Sequence, residues 1–342
     1  MKLTEEQVAV VSATDARFTV RAGAGSGKTR VLVDRYVRHV AELGHEPDSI
    51  VAVTFTRKAA AEMKKRIVAR LRDLGLSEQA QSAETGPIQT LHAFCERVLR
   101  ENCVEALVSP DFEVLETADV RLRTESAVRA ALLQVLDEDS EPASLVRLLS
   151  GQSGGQGPGW THSQLRSMVE AAMTQFRGAG IERSRLANDY ATAESTRSLW
   201  NAALISALGL EGALPSAEDG SVAQWIEHLK ASGAKPPPWL KSQPEESEQA
   251  SATDTSALVQ LAARAWELLE DDMELDQAFD FAVLERKAVE LVERSPVTRE
   301  RLKSSIKALL VDEAQDLNPV QYRLIDRLGA PSEMLVLSLI HI

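Results

Sequence analysis

The sequence contains no run of about 18 apolar residues, so a membrane-spanning helix is not expected. Its N-terminus, Met1-Lys2-Leu3-Thr4-Glu5-Glu6-Gln7, lacks the apolar stretch of a signal peptide. Cysteine is scarce. Cys95 and Cys103 are the only two, and neither belongs to a Cys/His set at metal-ligand spacing. That excludes a disulfide framework and suits reduced thiols in a cytoplasmic protein. Basic charge is also short, with 38 Lys and Arg against 51 Asp and Glu and a net charge of −13. Taken alone, that balance argues against a nucleic-acid binder.

The charge is not evenly spread. The first 110 residues carry 16 Lys and Arg against 14 Asp and Glu, so the deficit lies entirely in the remainder. Between Val51 and Arg70, the bases Arg57, Lys58, Lys64, Lys65, Arg66 and Arg70 face only Glu62. Such a stripe fits either a local groove for a polyanion or a solvated helix face. At 342 residues, 44% hydrophobic and 26% charged, the chain is long enough for two domains with cores of their own.

Along the first hundred residues, short apolar runs alternate with helical patterns. Phe18-Thr19-Val20 reads as a strand, Thr29 to Leu43 as a helix, and Ile50 to Phe55 as a buried strand. Lys58 to Leu74 reads as a helix, Ile88-Gln89-Thr90 as a strand and Leu91 to Glu101 as a helix. This alternation predicts a parallel sheet. After about Ser109 the pattern turns helical: Ala118–Leu149, Ser163–Arg177, Thr192–Leu208, Val222–Ser232, Ser256–Leu269 and Asp276–Ser295. The stretch Pro236 to Thr255, rich in Pro, Ser and Glu, is expected to be exposed and partly disordered. A fourth strand, Ala308 to Val311, then ends in acids. The fold class expected is α/β, with an all-helical domain inserted into a sheet domain.

Ala22-Gly23-Ala24-Gly25-Ser26-Gly27-Lys28-Thr29 follows a strand and opens a helix, the context a phosphate-binding loop requires. Its glycines let backbone N–H groups turn inward, and the helix N-terminus adds its positive dipole end. Lys28 can reach the β- and γ-phosphates of a nucleotide such as ATP, and Thr29 can ligate Mg²⁺. The acidic partner such a loop needs is Leu309-Leu310-Val311-Asp312-Glu313. Asp312 suits a Mg²⁺ held largely through water, and Glu313 suits the orientation and deprotonation of an attacking water.

A P-loop and an acidic strand end define an NTPase. Two further segments narrow the choice. Thr54-Phe55-Thr56-Arg57 and Thr90-Leu91-His92-Ala93-Phe94 place hydroxyls, aromatics, an imidazole and a base at strand C-terminal ends, where α/β sheets hold ligands. Hydroxyls suit phosphates and aromatics suit stacked single-stranded bases. Phe55 and Phe94 equally suit plain core residues, and His92 a satisfied buried histidine.

Together these segments resemble the superfamily-one helicases of the UvrD, Rep and PcrA type, including the RecB and AddA branch. Leu3-Thr4-Glu5-Glu6-Gln7 is similar to the family's N-terminal glutamine motif, Ala22 to Thr29 to its first motif, and Thr54 to Met63 to a DNA-facing one. Thr90 to Cys95 and Asp312 to Gln321 resemble its next two, so five segments stand in the family's order. The resemblance implies a RecA-like motor that uses ATP and Mg²⁺, drives along single-stranded and duplex-junction DNA, and acts in repair or recombination. It implies that Gln7 reads adenine, and that Ala22, Gly23, Ala24, Gly25, Ser26, Gly27, Lys28, Thr29 and Arg30 hold the nucleotide. It gives Lys28, Glu313 and Gln315 catalytic roles, with Gln315 sensing the γ-phosphate, and gives the metal to Thr29 and Asp312. Thr54, Phe55, Thr56, Arg57, Thr90 and His92 are the implied DNA contacts; Arg57 stands where the family often has Asn. Readings outside this family are a P-loop NTPase of another role, or a non-catalytic DNA-binding accessory protein.

The long separation of Cys95 from Asp312 is closer to the RecB/AddA or a related long-insert branch, in which a partner helicase or nuclease subunit is expected. The expected organisation is a first part of the motor domain over 1–108, an inserted helical subdomain over 109–275, and a return to the motor over 276–336. Leu337-Ser338-Leu339-Ile340-His341-Ile342 can be encoded by CTG TCT CTT ATA CAC ATC, a transposon end used to build sequencing libraries. The tail over 337–342 is therefore expected to be adapter-derived and the chain a fragment, inactive by itself because the second motor domain would be missing.

Overall fold

The computed structural model describes residues 3–13, 17–23, 26–136, 138–150, 161–178, 199, 202, 203, 206, 244–328 and 333–339. They form two units, one of residues 1–112 with 281–342 and one of residues 113–280.

The first unit is built on five parallel strands: β1 (Arg17–Ala22), β2 (Ile50–Thr54), β3 (Ile88–Thr90), β6 (Ala308–Val311) and β7 (Glu333–Leu339). Their order is β1-β7-β6-β2-β3, so strands distant in sequence lie side by side. Val53 stands between Val311 on β6 and Gln89 on β3, and Thr54 lies beside Thr90. Every residue of β2 and β6 is buried, as expected for parallel strands covered on both faces. One face joins Ile50, Ala52, Ile88, Ala308 and Leu310 to the apolar stripe Leu32-Tyr36-Val40 of helix Lys28–Ala41. Met63, Ile67 and Leu71 of helix Arg57–Asp73 complete that core at four-residue spacing. Fully burying each such side chain is worth about 2 kcal/mol. Helices Leu91–Glu101 and Phe281–Arg294 pack together elsewhere in the same unit.

Side-chain caps fix the helix starts that follow the strands. Thr56 Oγ1 accepts from Ala59 N–H (3.1 Å) and Thr90 Oγ1 from Ala93 N–H (3.2 Å). Asn318 and Gln321 form a reciprocal capping box at the start of helix Pro319–Leu328.

The second unit consists, among the described residues, of helices Thr117–Leu136, Glu141–Ser150, His162–Gly178 and Pro244–Asp276, with a two-residue parallel pair, β4 (Glu113–Val114) and β5 (Ala278–Phe279). Its core includes Leu132, Val135, Leu145, Leu149, Met168, Phe176, Leu261 and Leu269. A buried ion pair pins its last residues: Arg177 donates to both oxygens of Asp280 at 2.8 and 2.7 Å.

Two sequence expectations are corrected here. Of the stretch 236–255, expected to be exposed and partly disordered, residues 236–243 lie outside the described residues, while 244–255 start helix Pro244–Asp276 and Thr255 is buried. Proline at the first helical position and the acids Glu245, Glu246 and Glu248 suit a helix N-terminus as well as they suit disorder. The helix expected over Asp276–Ser295 is interrupted, because Gln277 adopts a left-handed conformation (φ 50°) and the chain extends into β5 before helix Phe281–Arg294 begins. The helix expected over Val222–Ser232, and most of that over Thr192–Leu208, lie outside the described residues.

Candidate nucleotide site and strand-facing edge

Because all five strands are parallel, the segments leaving β1, β2, β3 and β6 emerge at one edge of the sheet. The glycine-rich segment leaves β1, and Gly27 closes it with φ 81°, a conformation that favours glycine. A Cβ at Gly27 would stand 3.0 Å from Gln7 Nε2. Helix Lys28–Ala41 starts at once, Ser26 N–H donates to Gly23 O at 3.3 Å, and Lys28 Nζ lies 3.5 Å from the same carbonyl. Ala24 and Gly25 lie outside the described residues, and Ala22 is the last residue of β1. Thr29 and Arg30 follow on the first helical turn, with Arg30 3.7 Å from Asp34.

Gln7 is fixed against this loop from helix Glu5–Ser12. Its Oε1 accepts from Thr4 N–H (3.0 Å), and its Nε2 donates to Ser26 O (2.8 Å). The other end of the same helix is held by two arginines of helix Lys28–Ala41. Arg35, fully buried, donates to Val10 O (2.9 Å) and Val11 O (2.7 Å); Arg38 donates to Val11 O (3.0 Å) and Ala13 O (3.2 Å). Cations at a helix C-terminus complement its dipole. Burial, with Arg38 adding to it, lowers the Arg35 guanidinium to about 10.

Two strand spacings from β1, about 10 Å, β6 delivers the acids. Asp312 is buried, and its N–H extends the ladder to Val53 O (2.9 Å). Burial raises its pKa, the neighbouring Glu313 adds in the same direction, and the Glu313 N–H and Lys28 pull it back. A buried carboxyl so placed gains from a nearby cation, and the oxygens of Asp312 and Thr29 are of the hard donor type that Mg²⁺ takes. Glu313 is left-handed (φ 52°), a backbone strain of about 1 kcal/mol for a non-glycine residue. Its carboxylate accepts from Gln315 Nε2 at 2.9 Å.

The remaining expected site residues divide. Phe55, Thr56 and Arg57 are exposed just beyond β2. Thr54 is 4% exposed, and its hydroxyl has no hydrogen-bond partner among the described residues. Thr90 is buried and caps its helix. His92 points its Nε2 at Glu285 (2.8 Å) and stacks on Phe281 with ring centroids 4.2 Å apart. Phe94 is core. In the basic stripe, Lys64 donates to Glu84 O (3.0 Å), Arg66 pairs with Glu62 and Arg70 lies 3.7 Å from Asp34, while Arg57, Lys58 and Lys65 are exposed.

The model of the UvrD/REP helicase N-terminal domain matches residues 3–338. The chain belongs to this family. Among UvrD/REP relatives, it is 30% identical over 165 residues to an ATP-dependent helicase/nuclease subunit of Ruminiclostridium cellulolyticum, covering 45% of this chain and 13% of that protein. The protein of the same name from Exiguobacterium sibiricum is 37% identical over 130 residues, covering 35% of this chain and 11% of its own length. The ATP-dependent DNA helicase PcrA of Bacillus subtilis is 39% identical over 117 residues, 34% of this chain and 15% of that one. The chain thus matches only a small part of each relative's length. No helix among the described residues is long and apolar enough to cross a membrane.

Reading the sequence left Arg35, Arg38 and Glu285 without roles. The arginines carry a faint signal, since both lie on the helix that the P-loop opens. Glu285 carries none, because its partners come from distant segments.

Proposed function

We propose that this chain is the nucleotide-binding first part of an ATP-driven motor that moves on single-stranded DNA and unwinds duplex ends in repair or recombination. The observation that carries this reading is the shared sheet edge. The loop after β1 and the acids after β6 are two strands apart, and the hydroxyl-bearing ends of β2 and β3 continue the same edge.

In this reading, Lys28 and the backbone N–H groups around Gly27 neutralise the phosphates of ATP. Thr29 and Asp312 hold Mg²⁺, which supplies positive charge to the phosphate oxygens when bound. Glu313 orients the attacking water and accepts its proton, and Gln315, bonded to Glu313, senses whether the γ-phosphate is present. Gln7 reads adenine with the lone pair and the N–H that Thr4 and Ser26 leave over. Phe55, Thr56 and Arg57 face the DNA strand, and Thr54, Thr90 and His92 line the edge behind them.

The relatives named as helicase/nuclease subunits favour that branch. With it come a second, partner protein and cytoplasmic work on DNA ends. A strand-displacement assay tests the reading. The full-length protein should release the short strand of a tailed duplex with ATP and Mg²⁺, and a Glu313→Gln variant should not. Displacement without ATP, or undiminished in the variant, contradicts it.

A further inference from the structure

One buried carboxylate outside the five motif-like segments gathers side chains from two of them. Glu285, on helix Phe281–Arg294, has a side chain 5% exposed. Its Oε1 accepts from Gln321 Nε2 at 2.5 Å and lies 2.8 Å from His92 Nε2, and its Oε2 accepts from Asn318 Nδ2 at 2.9 Å. A buried carboxylate is costly unless such donors satisfy it, and removing it leaves two buried amide donors without their acceptor.

The two amides have no slack. Asn318 Oδ1 accepts from Gln321 N–H (2.8 Å), and Gln321 Oε1 accepts from Asn318 N–H (3.1 Å). Each amide therefore uses its oxygen on the helix cap and its nitrogen on Glu285, so neither can turn over without losing both bonds. On the other side, His92 is gripped by two residues of one helix face, Phe281 beneath the ring and Glu285 at its nitrogen, spaced i,i+4.

The chain between the acids and this anchor is short and tightly turned. Asp316 N–H donates to Glu313 O (3.0 Å) and Leu317 N–H to Ala314 O (3.4 Å), and Asn318 follows immediately. A displacement of Glu313 or Gln315 on nucleotide turnover has little freedom to dissipate before it reaches Asn318.

Resting on the motor reading above, we propose that Glu285 is a positioning residue that ties the segment after the acids to His92, so that the nucleotide end and the DNA-facing end of the sheet edge move against one shared point. Glu285 touches neither nucleotide nor DNA in this scheme. It acts through Asn318 and Gln321 on one side and His92 on the other. The tie is a coupling device, and its loss uncouples the two ends without dismantling either.

The test uses the full-length protein and measures ATP hydrolysis against the concentrations of ATP and of single-stranded DNA. Glu285→Gln keeps the shape but presents an N–H to its donors. Its KM for ATP should stay within about twofold of wild type, while stimulation by DNA falls about tenfold or more. Asn318→Ser keeps a helix-capping hydroxyl and removes only the donor to Glu285, so it decides the matter if Glu285→Gln fails to fold. It should lose stimulation in the same direction, and the double variant should be no worse than Glu285→Gln. Wild-type stimulation in both single variants overturns the proposal, as does a parallel loss of ATP affinity and stimulation, or a double-variant loss equal to the product of the two. A wild-type protein without DNA-stimulated hydrolysis overturns instead the motor reading on which the proposal rests.

Discussion

Gln7 donates its side-chain amide to the carbonyl of Ser26 at 2.8 Å, which latches helix Glu5–Ser12 onto the P-loop. Arg35 and Arg38 hold the far end of that helix through four hydrogen bonds to its last carbonyls. Helix Glu5–Ser12 and the segment Ser26–Ala41 are thus fixed to one another at both ends.

Base selectivity should follow this latch. Gln7→Ala should lower the preference for ATP over GTP, read as the ratio of kcat/KM values. Arg38→Met should do so more weakly and cost about 1 kcal/mol of stability. Unchanged ATP preference in both variants would detach Gln7 from adenine recognition.

Glu313→Gln preserves size and removes the base. Nucleotide affinity, measured by titration with a fluorescent ATP analogue, should stay near wild type, while turnover falls by about a hundredfold or more. If affinity and rate fell together, Glu313 would be a structural residue or a metal ligand.

His39, fully buried on the P-loop helix, lies with its Nδ1 3.1 Å from the Nδ1 of His45. Burial chiefly, then Arg35, His45 and Arg38, lower its pKa to about 3. A histidine depressed in the folded state stays neutral there while the unfolded chain takes up a proton. Its contribution is present above about pH 6.5 and is lost as pH falls from there towards about 3. Between pH 7 and pH 5, this group alone should remove about 2 kcal/mol of stability. A His39→Leu variant should lose less stability over that range in urea titrations at the two pH values. An identical acid loss would place the cause elsewhere.

Much of the sheet unit was legible because its signals are local. Thr90 is both the end of β3 and the cap of the next helix, so Ile88–Thr90 and Leu91–Glu101 could be read to the residue. Ala308–Val311 is an unbroken apolar run before two acids, and it is β6. The capping boxes of Thr4 with Gln7 and of Asn318 with Gln321 carry a three-residue spacing that the sequence reading passed over. What was not legible depends on tertiary structure. Gln277 turns left-handed where β5 pairs with β4, and no local propensity announces it. Glu285 sits on an ordinary amphipathic helix, and its partners Asn318 and Gln321 lie 33 and 36 residues away. The basic stripe stays open between its two readings: Lys64, Arg66 and Arg70 have partners within the unit, while Arg57, Lys58 and Lys65 are exposed.

The central claim is that Lys28 and the acids after β6 form one ATP site whose turnover is driven by DNA. Steady-state ATP hydrolysis by the full-length protein, with and without single-stranded DNA, tests it most directly when wild type and Lys28→Ala are compared. Wild type should be stimulated by DNA, with a midpoint that weakens steeply as salt rises, because phosphate contacts release counterions. Lys28→Ala should be at background under both conditions. Hydrolysis by Lys28→Ala at the wild-type rate, or wild-type hydrolysis indifferent to DNA, would contradict the account.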